Sequence, residues 1–527
     1  MNSIKVLDVT LRDGGCVNNF NFGHDYMHKI LSAQEQSGLD IIEIGYIDEK
    51  NGTPEERTQW DSLLSIKKNL LTKKKKNISY VAMMDYGKFD LQKLPIRDSS
   101  LIDGIRLAFH KKNLTDIIDA GKMILEKGFD LYLQPMITIR YSDSELLNLV
   151  GIVNKEFPNA SALYIVDSFG EMRSNDLTRI FNLIDHNLHP SIQLGFHSHN
   201  NLQLSYSNAC ALLQQSSNRN IILDGAIMGM GKGAGNLNTE LLLEHLNIFF
   251  YKNYKISPLL DVIDNVINQI HSEFYWGYAP EYYLSAINHC SPSYASFFFN
   301  KHLLPIKQIG ELLHLIDDEK KISFDREYAE CIWSTYNKSK NINDSRTVKK
   351  LEEALFNKKV VLIAPGRNSS LYKKKIDAFL SRKDFVSIGL NLTEEIDVDY
   401  LLITRKELLQ SAKSLQKKVI TISNIATQRK KNTYILNYKK WIDCTKGSIQ
   451  DSSTIIAFNL LTFCKIKEVH LAGFDGFSAD INANYSDPNL RHPISSQQAK
   501  DLNTFYKNYI NSKKDFKITF LTPSKYE

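Results

Sequence analysis

The stretch LDVTLRDGGC, residues 7 to 16, places an arginine and an aspartate directly after an apolar, β-branched run. Arg12 can stabilise a developing negative charge and Asp13 can bind a metal ion, although a strand that runs out into solvent would also end in charged residues. Further along, GFHSHNN holds His197 and His199 two residues apart. Side chains at i and i+2 of a strand point the same way, so both imidazoles project together from one strand end.

Together these side chains predict a divalent-metal site. Asp13 adds a carboxylate to the two imidazoles, and Asn236 in the glycine-rich GMGKGAGNLNTE is a candidate fourth ligand. Such a mixed nitrogen and oxygen set leaves room for substrate oxygens, which favours Mn²⁺, or else Mg²⁺, Co²⁺ or Zn²⁺, over a closed structural zinc site. A metal held this way can polarise the carbonyl of a 2-keto acid, and Arg12 beside it would stabilise the resulting enolate. The alternative role for Arg12 is a structural salt bridge.

Eight short apolar runs with helical segments between them must position these side chains. Their spacing of about 25 to 40 residues fits one strand plus one crossover helix. We therefore predict an α/β fold, a (β/α)8 TIM barrel with its chemistry at the carboxyl ends of the strands; a doubly wound open sheet is the alternative. The runs begin at Ile4, Asp40, Ile78, Asp103, Asp130, Ala162, Ile192 and Ile221.

The chain is too long for the barrel alone. We predict the barrel over residues 1–245, a helical extension and linker over 246–345, and a Rossmann-like α/β domain over 346–527, where the strand and helix pattern restarts. In that last domain APGRNSS offers Gly366, Ser369 and Ser370 as a weak candidate phosphate cradle at a helix start. Asp475 and His492 are expected near the same edge of the sheet.

Composition excludes several classes of protein. Of the 527 residues, 43% are hydrophobic and 24% charged, and the net charge of +6 is modest, so neither a nucleic acid nor a membrane is required as a partner. Six cysteines without CxxC spacing fit reduced thiols rather than a disulfide or zinc framework. The start of the chain does not read as a signal peptide and no apolar run has membrane-spanning length. A cytoplasmic protein is expected.

The motifs DVTLRDGG, HSHNNLQLS and GMGKGAGNLNTE, in this order, resemble those of the DRE-TIM metallolyase superfamily, which includes 4-hydroxy-2-oxovalerate aldolase, hydroxymethylglutaryl-CoA lyase and isopropylmalate synthase. The resemblance covers roughly residues 1–300. It implies that Asp13, His197, His199 and Asn236 bind the metal. It also implies that Arg12 stabilises the enolate and that Glu43 lies where one branch has a catalytic-site glutamate.

Cys16 departs from the family pattern, because the oxovalerate aldolases place a general-base histidine at the matching position. A thiol is a poor substitute for imidazole unless its pKa is depressed, so Cys16 is either a substrate contact or a filler. The base would then be His110, a metal-bound water or a tyrosine. The family returns a tyrosine over its site from the helical extension, for which Tyr282, Tyr283 and Tyr294 are candidates, with core packing as their alternative role.

These observations predict a divalent-metal aldolase or lyase that acts through a pyruvate-type enolate on an aldehyde. Faint similarity of the last domain to bacterial sialyltransferases and nucleotide-sugar-binding proteins suggests a sugar-derived aldehyde, a nucleotide or nucleotide-sugar ligand and a role in surface-polysaccharide biosynthesis. A Claisen-type synthase that uses acyl-CoA, or a non-catalytic barrel fused to a working second domain, are the alternatives. Homo-oligomerisation is expected, and the resemblance leaves open a contact with an aldehyde dehydrogenase.

Overall fold

The computed structural model describes residues 3–52, 56–100, 102–300, 306–339, 342–382, 384–392, 396–405, 408–409, 417–426, 432–442, 452–480, 482–487, 490, 494 and 496–527. The chain divides into two compact units, Met1–Ser293 and Tyr294–Glu527. The predicted helical extension, 246–345, is therefore shared between them. His492 lies outside the described residues.

The first unit is a closed parallel barrel, as predicted. Its sheet runs β1-β9-β8-β7-β6-β5-β4-β2, and a further pairing of β1 with β2 closes the ring. A two-residue strand, β3, pairs with Tyr46 and Ile47 at the end of β2 and has no counterpart in the predicted pattern. The strands are β1 (Ile4–Asp8), β2 (Ile41–Ile47), β3 (Gln59–Trp60), β4 (Ser79–Asp85), β5 (Gly104–Phe109), β6 (Asp130–Pro135), β7 (Ala162–Asp167), β8 (Gln193–Ser198) and β9 (Ile221–Gly225).

Alternation along the strands separates the interior of the barrel from the layer beneath the helices. The lower interior is an apolar cluster, while the opposite face of each strand belongs to the larger core under the helices. Polar side chains replace the apolar ones towards the carboxyl ends, where the fold places its chemistry. The interior cluster consists of Leu7, Val9, Ile41, Val81, Tyr132, Ala162, Tyr164, Val166, Ile222 and Ala226.

Helices cover the barrel and extend beyond its last strand. The crossover helices present apolar faces to the outer layer; Met27 and Ile30 of the first are buried there, for example. A π-helical turn, Ile263–Ile267, separates α8 from α9. The helices of this unit are α1 (Gly23–Gln36), α2 (Leu63–Asn69), α3 (Ile117–Glu126), α4 (Asp143–Glu156), α5 (Ser174–Asn187), α6 (Ser205–Leu213), α7 (Thr239–Phe250), α8 (Ser257–Val262), α9 (Asn268–Glu273) and α10 (Pro280–Ile287).

The second unit opens with four helices, preceded by α11 (Pro292–Phe299), which contains the boundary. An open, all-parallel sheet of seven strands follows, in the order β14-β13-β12-β11-β10-β15-β16. The order reverses between β10 and β15, which makes that junction the crevice of the sheet. Its strands are β10 (Lys359–Ile363), β11 (Phe385–Leu390), β12 (Tyr400–Ile403), β13 (Lys418–Ile422), β14 (Thr433–Leu436), β15 (Glu468–Ala472) and β16 (Lys517–Phe520).

The described helices of the second unit lie before the sheet and between its strands. They are α12 (Ile306–His314), α13 (Asp318–Lys321), α14 (Arg326–Ser339), α15 (Ser345–Leu355), α16 (Arg367–Leu371), α17 (Lys373–Leu380), α18 (Tyr438–Trp441), α19 (Ser453–Phe463) and α20 (Ser496–Ser512). In neither unit does a described helix combine the length and apolar character needed to cross a membrane.

Candidate metal centre at the barrel mouth

Asp13, His197 and His199 lie together at the carboxyl ends of β1 and β8. One ligand atom of each lies within 4.8 Å of the other two, and all three residues are buried. The Asp13 Oδ2 atom is 3.4 Å from His197 Nε2 and 3.5 Å from His199 Nε2. The two imidazole rings are perpendicular, with centroids 5.3 Å apart, so both Nε2 atoms point towards the same carboxylate. The structure thus brings together three side chains from sequence positions almost 190 residues apart.

Asn236 reaches the same place through the loop after β9. It pairs with His199 in an isolated antiparallel bridge, and its Nδ2 donates to Met230 O at 3.0 Å. Its Oδ1 atom is buried without a hydrogen-bond partner among the described residues. A buried amide oxygen without a donor is costly unless something else satisfies it. This orphaned oxygen beside a carboxylate and two imidazoles fits a divalent cation, so the residues present suit the predicted metal.

Gly231 lets the Asn236 side chain lie close to Asp13. A Cβ atom built there would lie 2.1 Å from Asn236 Nδ2 and 3.1 Å from Asp13 Oδ1. Any larger residue would push into the cluster, because the first of these distances is far below a van der Waals contact. The glycine-rich loop therefore shapes the site as well as supplying Asn236.

Neighbouring charges and burial shift the pKa values of the three clustered side chains. Burial alone would raise the pKa of Asp13, but the charges of His199 and Arg12 outweigh it and hold this pKa well below the usual range. Burial lowers the pKa of His199 to about 4, so this imidazole is neutral and free to bind a metal at neutral pH. Burial would also lower the pKa of His197, but hydrogen bonds to Asp13 and Asp224 raise it instead.

A chain of ion pairs connects Arg12 to His197 through the barrel interior. Arg12 Nη1 lies 2.7 Å from Asp13 Oδ2, and Arg12 Nε donates to Glu43 Oε2 at 2.7 Å. Glu43 also pairs with Arg106 Nη1 at 2.9 Å, and Arg106 Nη2 donates to Asp224. Asp224 in turn lies 3.0 Å from His197 Nδ1. The predicted enolate-stabilising arginine and a predicted metal ligand are therefore positioned by one buried network.

Two members of this network, Arg106 and Asp224, are not among the predicted catalytic and metal-binding residues. Both sit at interior-facing positions of predicted strands, where a charged residue in an otherwise apolar run is unexpected. A charged residue inside an apolar run could have pointed to these positions, because a buried charge needs a partner. Arg106 also stacks on the Tyr164 ring, with its guanidinium carbon 4.7 Å from the ring centroid.

Cys16 and His110 lie around the mouth without joining the metal cluster. Although the Cys16 side chain reaches solvent, crowding by surrounding protein and the neighbouring Asp13 charge raise the pKa of this thiol to about 12. The pKa of this thiol is thus shifted in the direction opposite to the depression that a basic Cys16 requires. Partial burial lowers the pKa of His110, the half-buried residue that follows β5.

Tyr294 takes part in contacts inside the second unit. Its hydroxyl donates to Ser323 O at 3.2 Å and accepts from Asp325 N at 3.1 Å, and its side chain is fully buried. These contacts correspond to the packing alternative for this tyrosine. Its role as a catalytic group stays a prediction.

The candidate phosphate cradle lies at the start of α16, next to the crevice between β10 and β15. Gly366 permits a close approach of the two loops, since a Cβ there would lie 2.2 Å from Gly473 O. Ser369 Oγ donates to Gly366 O at 2.7 Å, and Asn368 N donates to Asp475 Oδ2 at 2.7 Å. The Asp475 carboxylate thus accepts from the Asn368 backbone amide, which is the donor that a bound phosphate would need. Phosphate binding by Gly366, Ser369 and Ser370 stays a prediction, and it requires Asp475 to move or to be neutralised.

The barrel residues are similar in sequence to a known family and to known aldolases. Residues 105–265 match the family model HMGL-like. A 4-hydroxy-2-oxovalerate aldolase from Thermomicrobium roseum is 28% identical over 260 residues, which cover 49% of this chain and 69% of that protein. Another from Geobacillus thermodenitrificans is 25% identical over 276 residues, covering 51% and 78%.

Among solved structures, the N-terminal domain of a candidate aldolase from Bacteroides vulgatus is 26% identical, with a TM-score of 0.49, and covers 56% of this chain and 96% of that one. A hydroxymethylglutaryl-CoA lyase from Pseudomonas aeruginosa is 13% identical, with a TM-score of 0.42, covering 51% and 93%. The predicted resemblance to this superfamily is confirmed by the HMGL-like match and by the similarity of about half of the chain to the aldolase relatives.

Proposed function

We propose that this HMGL-like, or DRE-TIM, barrel makes or breaks a carbon–carbon bond at C3 of pyruvate, using a divalent metal held by Asp13, His197, His199 and Asn236. In general terms the chain is an aldolase or lyase of a metal-dependent family. The observation that carries the finer proposal is the cluster of Asp13, His197 and His199 with Arg12 hydrogen-bonded at its edge. Mn²⁺ is the expected metal.

The bound metal would hold the carboxylate and carbonyl oxygens of a 2-keto acid and polarise the carbonyl. Arg12 places a guanidinium beside that position and would stabilise the negative charge that develops on the carbonyl oxygen. Glu43 fixes the Arg12 side chain through a hydrogen bond of 2.7 Å to Nε. Because Glu43 is itself held by Arg106, the guanidinium of Arg12 is oriented before substrate binds.

The test is exchange of the pyruvate methyl protons in D₂O with Mn²⁺, followed by proton NMR. Wild type should lose the methyl signal, and Arg12→Ala and His197→Ala should not. Arg179→Ala and His189→Ala, at exposed positions outside the barrel mouth, are the matched controls. An unchanged methyl signal with wild type would count against pyruvate as the enolised substrate, and thiol release from acetyl-CoA with a keto acid would then identify a Claisen-type synthase.

We further propose that the acceptor aldehyde is sugar-derived and that the second unit binds a nucleotide or nucleotide-sugar, as in surface-polysaccharide biosynthesis. Support comes from the parallel sheet, whose order reverses at the crevice where Gly366 and Asp475 lie. Equilibrium dialysis with UDP-N-acetylglucosamine and with CMP tests it. Binding should tighten in Asp475→Asn, because loss of the carboxylate charge frees the Asn368 amide for a phosphate. Binding of neither compound to wild type or to this variant would refute the proposal.

A further inference from the structure

A second group of polar side chains lies at the barrel mouth on the other side of β1 from the histidines. The metal cluster comes from β1, β8 and the loop after β9, whereas this group comes from the next strands round the ring, β2, β4 and β5. It comprises Tyr46, Asp85 and His110, all half-buried. Arg12 lies between the two groups, since it donates to Glu43 of β2 as well as to Asp13.

Strand geometry aims Asp85 and Tyr46 into the mouth. Val81 belongs to the interior cluster, so Asp85, four residues further along β4, shares that face. In β2 the register shifts between Glu43 and Tyr46, which changes the alternation by one residue. This irregularity allows both side chains of β2 to face the interior, although they are three residues apart.

The Tyr46 phenol and the Asp85 carboxylate are close enough to interact, since both face the barrel mouth from the neighbouring strands β2 and β4. Burial, followed by the Asp85 charge and a hydrogen bond to it, raises the pKa of Tyr46, which therefore remains a phenol beside the carboxylate. Burial raises the pKa of Asp85, and the hydrogen bond from Tyr46 and the charge of Arg12 oppose that rise. The result is a carboxylate that is held in place and is more basic than one in water.

We propose that Asp85 is the general base of the proposed reaction and that Tyr46 positions its carboxylate. This inference rests on the proposed function. In this arrangement the carboxylate and carbonyl of the substrate face the metal cluster and Arg12, and its C3 atom extends towards β2 and β4. Asp85 then supplies the basic group that the family pattern has at position 16, where this chain has Cys16.

Asp85 both accepts a proton and returns it during the proposed reaction. In the aldol direction Asp85 accepts a proton from C3 of pyruvate, and the C–H electron pair forms the enolate. The enolate C3 attacks the aldehyde carbon, a C–C bond forms, and the carbonyl electrons move to oxygen. The protonated Asp85 then returns its proton to that alkoxide, which gives the 4-hydroxy-2-oxo acid and restores the carboxylate. Cleavage is the reverse of these steps.

Two reactions of simple probes separate this role from a structural one. Exchange of pyruvate methyl protons requires a base, whereas decarboxylation of oxaloacetate generates the same enolate by losing CO₂ and requires none. Asp85→Asn should slow exchange at least 100-fold and leave decarboxylation, measured above the rate with Mn²⁺ alone, within threefold. Asp90→Asn, an exposed aspartate shortly after β4, is its matched control and should change neither rate.

Tyr46→Phe provides an independent readout. The hydrogen bond from Tyr46 lowers the pKa of Asp85, so its removal should move the acid limb of the exchange rate to higher pH, while Tyr86→Phe should not move it. The other groups that act on Asp85 or on its partner Tyr46, and that stay unchanged in this variant, are Arg12, Cys16, Asp48, Lys88 and His110.

The outcomes distinguish the two proposals. Equal loss of both reactions in Asp85→Asn would make Asp85 structural, and exchange retained above one tenth of wild type would remove it as the base. Loss of exchange in His110→Gln alone would assign the base to His110. Wild type that decarboxylates without exchanging protons would overturn the inference and leave the enolate proposal standing. If wild type exchanges protons but does not decarboxylate oxaloacetate, the shift of the acid limb of exchange in Tyr46→Phe decides the inference. If wild type catalyses neither reaction, both proposals are overturned.

Discussion

Arg106 Nη1 lies 2.9 Å from Glu43 Oε2 inside the barrel, and neither side chain reaches solvent. Arg106 also donates to Asp224, so one guanidinium neutralises two buried carboxylates. Removing a single partner from a buried ion pair leaves an uncompensated charge, which is far more costly than removing an exposed pair. The network that positions the candidate site is therefore also a point where the fold is vulnerable.

Arg106→Met should lower the free energy of unfolding by about 3–5 kcal/mol, because Glu43 and Asp224 lose their shared cation. Urea unfolding at pH 7.5 measures this free energy of unfolding. Arg179→Met, which removes an exposed pair with Asp143, is the control and should cost at most about 1 kcal/mol. If the two variants lose similar free energy, the interior network contributes little to stability.

Asp224→Asn should weaken Mn²⁺ binding by about 10- to 100-fold, the usual cost of losing an outer hydrogen-bond partner of a metal-binding histidine. Asp224 lies 3.0 Å from His197 Nδ1, and this contact fixes which ring nitrogen faces Asp13. Titration with Mn²⁺, followed by electron paramagnetic resonance, measures this affinity. Asp119→Asn, at an exposed position, is the control and should leave the affinity unchanged. Affinity within threefold of wild type would show that His197 is oriented without Asp224.

The sequence predicted the barrel closely because its strands are apolar on both faces and therefore stand out. All eight predicted starting residues lie within one residue of the observed strand starts, and four coincide, at Ile4, Asp130, Ala162 and Ile221. The predicted strands of the second unit are likewise present as β10–β16. The missed element, β3, has only two residues, Gln59 and Trp60, which is too short for any alternation to show.

The site was predictable only in part. Asp13, His197 and His199 have residue types and spacing that point to a metal, and the structure places them together. The partners Arg106 and Asp224 depend on which strands are neighbours across the barrel interior, and a linear pattern does not contain that information. Tyr46 was hidden for a different reason: strict alternation would place it on the face opposite to Glu43, and only the register shift in β2 turns it into the interior.

Gly231→Ala should reduce Mn²⁺ affinity at least tenfold and lower the free energy of unfolding by about 1–3 kcal/mol. The added methyl group would displace Asn236 Nδ2, which lies 2.1 Å from the Cβ position, and crowd Asp13. Isothermal titration with Mn²⁺ measures the affinity. Gly151→Ala is the matched control: its Cβ meets no atom within 4 Å on helix α4, so affinity should be unchanged and stability should rise by up to about 1 kcal/mol. Unchanged affinity in Gly231→Ala would place the cation away from this loop.

Asp8 should make the stability of the barrel depend on pH. Burial raises the pKa of this carboxyl to about 6, although it accepts hydrogen bonds from Thr10, Gln34 and Thr239. A pKa higher in the fold than in the unfolded chain means that the protonated form favours folding, so this contribution is complete below about pH 4 and is lost as the pH rises through 6. From these two pKa values, the loss between pH 4.5 and 7.5 is about 2 kcal/mol.

Asp8→Asn should remove this pH dependence without breaking the contacts. The amide oxygen can accept from Thr10 N and Gln34 Nε2, while the amide nitrogen donates to the Thr239 hydroxyl, which can reverse its role. The unfolding free energy of wild type, measured in urea, should therefore fall relative to that of the variant by about 2 kcal/mol from pH 4.5 to 7.5. Other titrating groups affect both proteins alike and cancel in this difference. A difference that does not change with pH would mean that Asp8 is ionised in the folded barrel as readily as in water, and that its three donors fully offset its burial.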